Sequence, residues 1–341
     1  MKKLLLAISI IWSFAAQGQN TQFSQFFATS AYLNPAFVGL QSSTRMDLNY
    51  KSGVNGNGHA LQELTHASFI HPIQKVTSFA SRSAGVGLTF VQEKSGYEGI
   101  YQTTNVLLSS SYVLNLDYQG TKFLSFGVQG GVIQNKLDLS ELKYGSQFNP
   151  YYGYDDSLPA ELIAEGSKFA PTFNVGAVLQ TTDHKNPLLS QNSLLLGLSV
   201  HSINRPADGF NSNTNRPMQF KGIVSARKKV SQLFFLHPSG YVQYLQGSVQ
   251  INSGLYLSRY VGRNLTTIIQ LGTWYRFNDS FIFLSGVKHK QWKAGISIDL
   301  NANTLTNSEI IPEDSRTTYE VSFSYSFQFK NVMVDVSNPL F

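Results

Sequence analysis

From Glu320 to Phe329 the chain reads E-V-S-F-S-Y-S-F-Q-F. Successive strand side chains point to opposite sides, so Val321, Phe323, Tyr325, Phe327 and Phe329 share one face and Ser322, Ser324, Ser326 and Gln328 the other. The same period of two recurs elsewhere. Trp292, Ala294, Ile296, Ile298 and Leu300 alternate with Lys293, Gly295, Ser297, Asp299 and Asn301. Leu124, Phe126, Val128 and Val132 interleave with Ser125, Gly127, Gln129 and Gly131, and Phe173, Val175, Ala177 and Leu179 with Thr172, Asn174, Gly176 and Gln180. A soluble sandwich also alternates, but its water-facing side normally carries Lys and Glu. Here the polar faces are mostly Ser, Gly, Asn, Gln and Thr, small neutral groups suited to hydrogen-bonding one another in a confined lumen. Charged residues make up only 13% of the chain, against roughly 25% in soluble domains, and aromatics reach 13%. One face wants lipid and the other confined water, which is the pattern of an all-β, antiparallel, transmembrane outer-membrane barrel.

A helical membrane protein is excluded, because no apolar stretch beyond Ala16 is long enough for a helix to cross a bilayer. Lys2 and Lys3, the apolar run Leu4 to Ala16 and the sequence Ala16-Gln17-Gly18-Gln19 read as a secretory signal peptide over residues 1–18, cleaved after Gly18. With no cysteine, a lipoprotein anchor, disulfides and thiolate metal sites are ruled out. Loss of Lys2 and Lys3 takes the formal charge from +6 to about +4, a weak bias. The only dense basic cluster, Arg227-Lys228-Lys229, reads as a polar turn at a membrane surface, so nucleic acid is not an expected partner.

Segments of strand length fall near 43–51, 60–71, 84–94, 99–116, 121–138, 169–182, 192–203, 217–229, 233–246, 248–259, 264–277, 280–289, 290–301 and 317–330, about fourteen in all. An even count suits a single-chain barrel. With both ends in the periplasm, the three long connections near 139–168, 204–216 and 302–316 all fall on the cell-surface side. The expected organisation is therefore a signal peptide (1–18), an N-terminal periplasmic or lumen segment (19–42) and the barrel (43–341).

The connection 139–168 holds Phe148, Tyr151, Tyr152 and Tyr154, followed by Asp155, Asp156, Glu161 and Glu165. Such aromatics serve as a protein-contact surface, a lid folded into the mouth, or a self-packed loop, and the residues alone leave these open. The carboxylates lack the glycine and spacing of an EF-hand. No catalytic set emerges. The histidines (His59, His66, His71, His184, His201, His237, His289) are scattered without an H-E-x-x-H pairing, no G-x-S-x-G occurs, and Gly85-Val86-Gly87 lies inside a strand pattern with no following helix. Neither a cofactor nor a metal is expected, and an enzyme is not the expected class.

The most distinctive stretch runs Gln22-Phe23-Ser24-Gln25-Phe26-Phe27 and continues through Tyr32-Leu33-Asn34-Pro35-Ala36-Phe37 to Gly39. Asn34-Pro35 is physically a bend, since proline pushes the preceding residue out of the helical region. A bend does not explain Phe23, Phe26, Phe27, Tyr32 and Phe37, which need burial inside the lumen or against a partner. These five residues, with Asn34 and Pro35, are the candidates for a lumen plug or partner-binding element, expected to pack at the periplasmic end of the lumen. Q-F-S-Q-F followed by Y-L-N-P-A-F-x-G resembles the N-terminus of the PorP/SprF family of type IX secretion membrane proteins. Further matches are Arg205-Pro206, Pro217, Trp274-Tyr275-Arg276, Ser297-Ile298-Asp299-Leu300-Asn301 and Thr318-Tyr319-Glu320. The family's C-P-R-F-like tail is represented by Asn338-Pro339-Leu340-Phe341, which keeps the proline and the phenylalanine but not the cysteine or arginine.

The resemblance implies a non-enzymatic outer-membrane partner of type IX secretion. Such a barrel binds the C-terminal signal domain of an exported protein or adhesin, docks it at translocon components and assists its surface attachment, as in gliding motility. The competing readings are an outer-membrane diffusion porin for small solutes and a soluble β-sandwich adhesin.

Overall fold

In the computed structural model, fourteen antiparallel strands close on themselves. The structure describes residues 22–327 apart from 56–57, 59, 75–81, 97–98, 140–143, 150, 156, 159–165, 185–190, 208–214, 263–265 and 302–315. The barrel strands are β1 (Thr44–Asn55), β2 (Ala60–Gln74), β3 (Arg82–Ser95), β4 (Tyr101–Asn115), β5 (Lys122–Leu137), β6 (Gly166–Thr182), β7 (Asn192–His201), β8 (Gln219–Lys229), β9 (Phe234–Leu245), β10 (Ser248–Val261), β11 (Thr267–Arg276), β12 (Ser280–His289), β13 (Trp292–Asn301) and β14 (Arg316–Phe327). Each expected segment finds its strand. Every strand pairs with its chain neighbours, and β1 pairs with β14 in a register that sets Leu48 opposite Phe323 and Lys51 opposite Glu320. Closure removes the sheet edges, the condition under which strands can cross hydrocarbon with their backbone groups paired. Among the described residues no helix is long and apolar enough to cross a membrane.

The alternation seen in the sequence is the alternation of the wall. Phe126, Val128, Phe173, Val175, Ile296, Ile298, Val321 and Phe323 are exposed, whereas Ser125, Gln129, Thr172, Asn174, Ser297, Asp299, Glu320 and Ser322 are buried. Side chains such as Leu108, 65% exposed, and Leu198, 71% exposed, form a continuous apolar outer surface that belongs in lipid rather than water. The inward face is not uniformly polar. Val178, Leu195, Ile223, Tyr241, Tyr256, Trp274, Ile282 and Leu284 are buried with residues of the N-terminal segment in one apolar cluster.

Chain direction fixes which connections share an end. Residues 138–165, 202–218 and 302–315 follow β5, β7 and β13, so all three long connections leave from the end opposite Thr44 and Phe327. That end is called distal here, and the other terminal. The first of these connections contains a short helical turn, Gly145–Gln147, and a minimal hairpin pairing Phe148–Asn149 with Gly153–Tyr154. At the terminal end the turn from β4 to β5 is tied by Asp117, whose carboxylate accepts from the Thr121 hydroxyl and from the backbone N–H groups of Thr121 and Lys122. These bonds, the Thr121 hydroxyl first, hold that carboxyl below its ordinary range. The basic cluster is corrected by the structure. Arg227 is not in a surface turn but is the third-last residue of β8, buried in the lumen with its guanidinium 4.1 Å from the Phe235 ring centre. Residues 1–18, Asp156, Glu161, Glu165, Phe329 and the tail Asn338, Pro339, Leu340 and Phe341 lie outside the described residues.

Candidate functional site

The candidate site is the segment Gln22–Gln41 and what surrounds it. Three short turns make it compact: Phe26–Thr29, Ser30–Leu33 and Pro35–Leu40. Asn34 creates the break between the last two. Its backbone is extended, its Oδ1 accepts from the Ala36 N–H at 2.9 Å, and Pro35 occupies the first position of the following turn, where a missing N–H is harmless. The other end of the Asn34 side chain donates to the carbonyls of Ala177 and Leu198 at 3.2 and 2.9 Å, which fastens the bend to β6 and β7.

Contacts of this segment run round the whole wall. Phe23 packs on His66 of β2, Val38 passes Gly85 of β3, and Gly39 lies against Ser111 of β4. Ala36 accepts from Ser125 of β5, Leu33 from Ser199 of β7, and Tyr32 from Lys221 of β8. Phe26 stacks on Tyr241 of β9, Phe27 meets Tyr256 of β10, and both meet Trp274 of β11. A segment with partners on nearly every strand of a closed barrel can only lie inside it. Its depth differs from the expected position at one end of the lumen. Pro35–Leu40 lies near the terminal end, but Gln22–Gln25 bonds to residues in the distal halves of β1, β13 and β14, so from Gln22 the chain descends through the barrel to the terminal end, where it enters β1.

Close approach requires particular residues in the wall. A Cβ at Gly85 would overlap the Val38 carbonyl, and one at Gly127 would overlap the Ala36 nitrogen. Gly85-Val86-Gly87 thus makes room for a neighbouring chain inside a strand.

Two kinds of interaction hold the segment. The first is aromatic. Phe26 and Tyr241 stack with centroids 5.5 Å apart, and Phe27 lies 6.0 Å from Tyr256 and 6.3 Å from Trp274. Phe23 meets Tyr32 edge-on at 6.4 Å, while Tyr32 meets His201 at 6.3 Å and receives the Lys221 ammonium 4.3 Å from its ring centre. Burial, the largest cause, raises the Tyr32 phenol above its usual range. Phe37 is fully buried beside Leu33, Ala36 and Leu40.

The second is ionic. Glu320 accepts from the backbone N–H groups of Ser24 and Gln25 at 2.6 and 3.0 Å and from Asn49 at 2.8 Å. Lys51 donates to the Gln22 carbonyl at 2.8 Å and to Ser24 Oγ at 2.7 Å, and forms an ion pair with Asp299 at 3.2 Å. Arg276 bridges Ser24 Oγ, Asp299 and Asp279 at 3.0, 3.1 and 2.8 Å, and the Ser24 hydroxyl donates to Asp299. Arg45, paired with Asp47 at 2.9 Å, donates to Ser30 Oγ at 3.0 Å. Every one of these charges faces the lumen with a partner, the arrangement that fixes a unique geometry more than it adds stability.

The structure therefore brings Phe23, Phe26, Phe27, Tyr32, Asn34, Pro35 and Phe37 together inside the barrel. The residues that receive them, Tyr241, Tyr256, Trp274, Lys51, Arg276, Asp299 and Glu320, had not been singled out as site residues, although Trp274, Arg276, Asp299 and Glu320 belong to the motifs Trp274-Tyr275-Arg276, Ser297-Ile298-Asp299 and Thr318-Tyr319-Glu320. Those motifs converge on Ser24 and Gln25. The other candidates stand apart at the distal end: Tyr151 and Tyr152 are 91% and 88% exposed, Phe148 is exposed, and Tyr154 is at the margin of exposure. Beside them Ser157 holds the Asp155 carboxyl below its ordinary range by donating to it. Among the described residues no three His, Asp or Glu side chains are grouped so as to hold a metal ion.

No curated protein matches this chain. Solved structures similar to it include the toluene transporter TodX of Pseudomonas putida, with 8% identity over 88% of this chain and 93% of that one and a TM-score of 0.49. The toluene transporter TbuX of Ralstonia pickettii shows 10% identity over 88% and 94%, with a TM-score of 0.47. A FadL homologue of Pseudomonas aeruginosa shows 12% over 88% and 94%, with a TM-score of 0.45. The family described as type IX secretion system membrane protein PorP/SprF matches residues 15–325, which takes in the lumen segment and all but the last two residues of β14. With a closed, lipid-faced barrel as its fold, the chain is an outer-membrane protein that belongs to the PorP/SprF family of type IX secretion system membrane proteins.

Proposed function

We propose that this barrel is a non-enzymatic docking partner of type IX secretion that binds the C-terminal signal domain of an exported protein or adhesin at its distal mouth, brings it to the translocon and retains it at the cell surface, as in gliding motility. The observation that carries this reading is the filled lumen. Among the described residues, 22–41 meet the wall on nearly every side and occupy the lumen, which disfavours a diffusion porin. What it offers a partner is its rim, where Phe148, Tyr151 and Tyr152 expose aromatic surface of the kind enriched at protein interfaces. In this reading the distal end faces outward and the signal peptide is cleaved after Gly18.

Crosslinking intact cells, purifying the barrel and identifying its companions by mass spectrometry tests the proposal. Recovery of one large exported protein together with translocon components is the expected result. Steady open channels from the purified wild-type protein in planar bilayers, with no exported protein recovered, would replace this reading with the porin.

A further inference from the structure

Above the lumen segment lies a cavity of about 100 Å³ lined by Gln22, Phe23, Phe26 and Tyr32 of the segment and by side chains of the barrel wall. Ser202, Arg216 and Pro217 of the connection after β7 line it too, so it lies toward the distal end. Its polar lining is biased toward donors. Gln22, Thr172 and Gln243 are each more than nine-tenths buried, and each presents an atom with no hydrogen-bond partner: Gln22 Nε2, Thr172 Oγ1 and Gln243 Nε2. The two amides are oriented by their other ends, because Gln22 Oε1 accepts from Asn252 at 3.1 Å and Gln243 Oε1 accepts from the Tyr241 hydroxyl at 2.6 Å. What remains free on both is therefore N–H.

The charge in the same lining points the same way. Lys221 is 6% exposed, its ammonium reaches the Tyr32 carbonyl only at 3.4 Å, and among the described residues it forms no ion pair. Arg216 adds a second cation at the half-buried margin, while Glu93, bonded to Gln62 at 3.1 Å, is the one carboxylate of the lining. Two cations against one anion leave a single net positive charge. A buried ammonium and three unpaired buried groups, two of them amide N–H, are each costly unless an acceptor-rich group meets them. A monoanion matches the net charge, and a dianion such as phosphate exceeds it. The volume admits a carboxylate with a few attached atoms.

We propose that this cavity is a carboxylate-binding site, with Lys221 as the counter-ion and Gln22, Thr172 and Gln243 as hydrogen-bond donors. Free small organic acids and the C-terminal end of a polypeptide share this chemistry. The site stands on the cavity alone and does not depend on the docking reading.

Isothermal titration of the full-length barrel in detergent at low salt, using N-acetylglycine, its amide N-acetylglycinamide, acetate and inorganic phosphate, tests the assignment. Saturable binding of a carboxylate, at least tenfold weaker binding of the amide, and a tenfold or greater loss on Lys221→Gln in a barrel that still shifts on heating in gel electrophoresis are expected. Acetate binding as tightly as N-acetylglycine identifies a free acid as the natural ligand class. A preference of tenfold or more for N-acetylglycine identifies a peptide end. Gln243→Leu, which keeps every charge, should weaken binding several-fold and serves if Lys221→Gln does not fold. Flat titrations with both carboxylates, equal binding of acid and amide, or tighter binding of phosphate than of either carboxylate would each overturn the proposal. So would variants indistinguishable from wild type.

Discussion

Replacing Glu320 by Gln should loosen the lumen segment at its N-terminal end. The carboxylate takes three donors: Ser24 N–H on one oxygen, and Gln25 N–H and Asn49 Nδ2 on the other. Glutamine keeps one oxygen and turns an NH2 toward at least one of those donors, leaving a buried N–H unpaired at about 1–3 kcal/mol. The change also removes one of the negative charges among which Lys51 and Arg276 are buried. Lys51 and Arg276 keep Asp299 and Asp279 as ion-pair partners, so the cost stays near that of the unpaired donor, and at about 1.4 kcal/mol per power of ten the opening equilibrium of Gln22–Gln25 should rise by about one to two orders of magnitude. Amide hydrogen exchange followed by mass spectrometry, with the protein in detergent or nanodiscs, reads this directly. Exchange at Ser24 and Gln25 should accelerate roughly tenfold or more, while peptides of β4 and β5, remote from Glu320, stay as protected as before. Val321→Thr, which changes the neighbouring outward-facing residue, is the control and should leave the segment unaffected. An acceleration within about threefold for Glu320→Gln would mean that the ionic cluster does not hold the segment.

Three further outcomes follow from the same geometry. Phe323 faces lipid in mid-strand, so Phe323→Arg should weaken insertion by about 2–4 kcal/mol if its depth is near the bilayer midplane, whereas Ser324→Arg, on the lumen side, should be much milder in urea titrations of folding into vesicles. Deleting residues 22–33 removes the aromatic core of the segment and should give an inserted, heat-modifiable barrel that conducts ions in planar bilayers, whereas the full chain should stay silent. Gly127→Val drives a side chain into the Pro35–Ala36 backbone, an overpacking of about 1–3 kcal/mol, and should raise hydrogen exchange at Ala36 and Phe37 without changing the apparent size of the folded barrel on gels.

The wall was legible because lipid on one side and confined water on the other force a period of two, and Ser322 to Phe327 or Phe173 to Gln180 carry it openly. Boundaries were less so. The second segment is expected near 60–71, yet Pro72 sits inside β2 opposite Gly85, and β2 runs on to Gln74. The interior was half legible. Phe23, Phe26, Phe27 and Phe37 are too dense for a free tail, so their need for burial could be read, but their receivers could not. Ile282 and Leu284 point inward between the outward Phe281 and Phe283, and such a run is apolar on both faces and hides which face meets the plug. The ionic cluster was invisible for another reason. Ser24 and Glu320 lie 296 residues apart, and only closure of the barrel puts them in contact. The lumen is also less neutral than its Ser-, Gly-, Asn-, Gln- and Thr-rich strands suggest, because Lys51, Arg276, Asp299 and Glu320 are held there by one another or by the segment.

The position of that cluster ties the segment to the joint of the barrel. Lys51 and Asn49 are on the first strand, Glu320 on the last and Asp299 on the one before it, so the residues that grip Ser24 and Gln25 straddle the seam where β1 meets β14. Pairing of that seam brings Lys51 opposite Glu320 inside the lumen. Without the segment, the two carboxylates and two cations gathered there would lose the Ser24 and Gln25 N–H groups and the Ser24 hydroxyl, the neutral groups that complete their hydrogen bonding. The segment is covalently continuous with β1, so its entropy of association is small. Residues 22–25 thus act on both strands of the seam at once, favouring the closed register over one in which β14 slips by one residue and turns Phe323 inward. At Glu320 one carboxylate serves both ends, accepting from Asn49 across the seam and from the Ser24 and Gln25 N–H groups of the segment that fills the lumen.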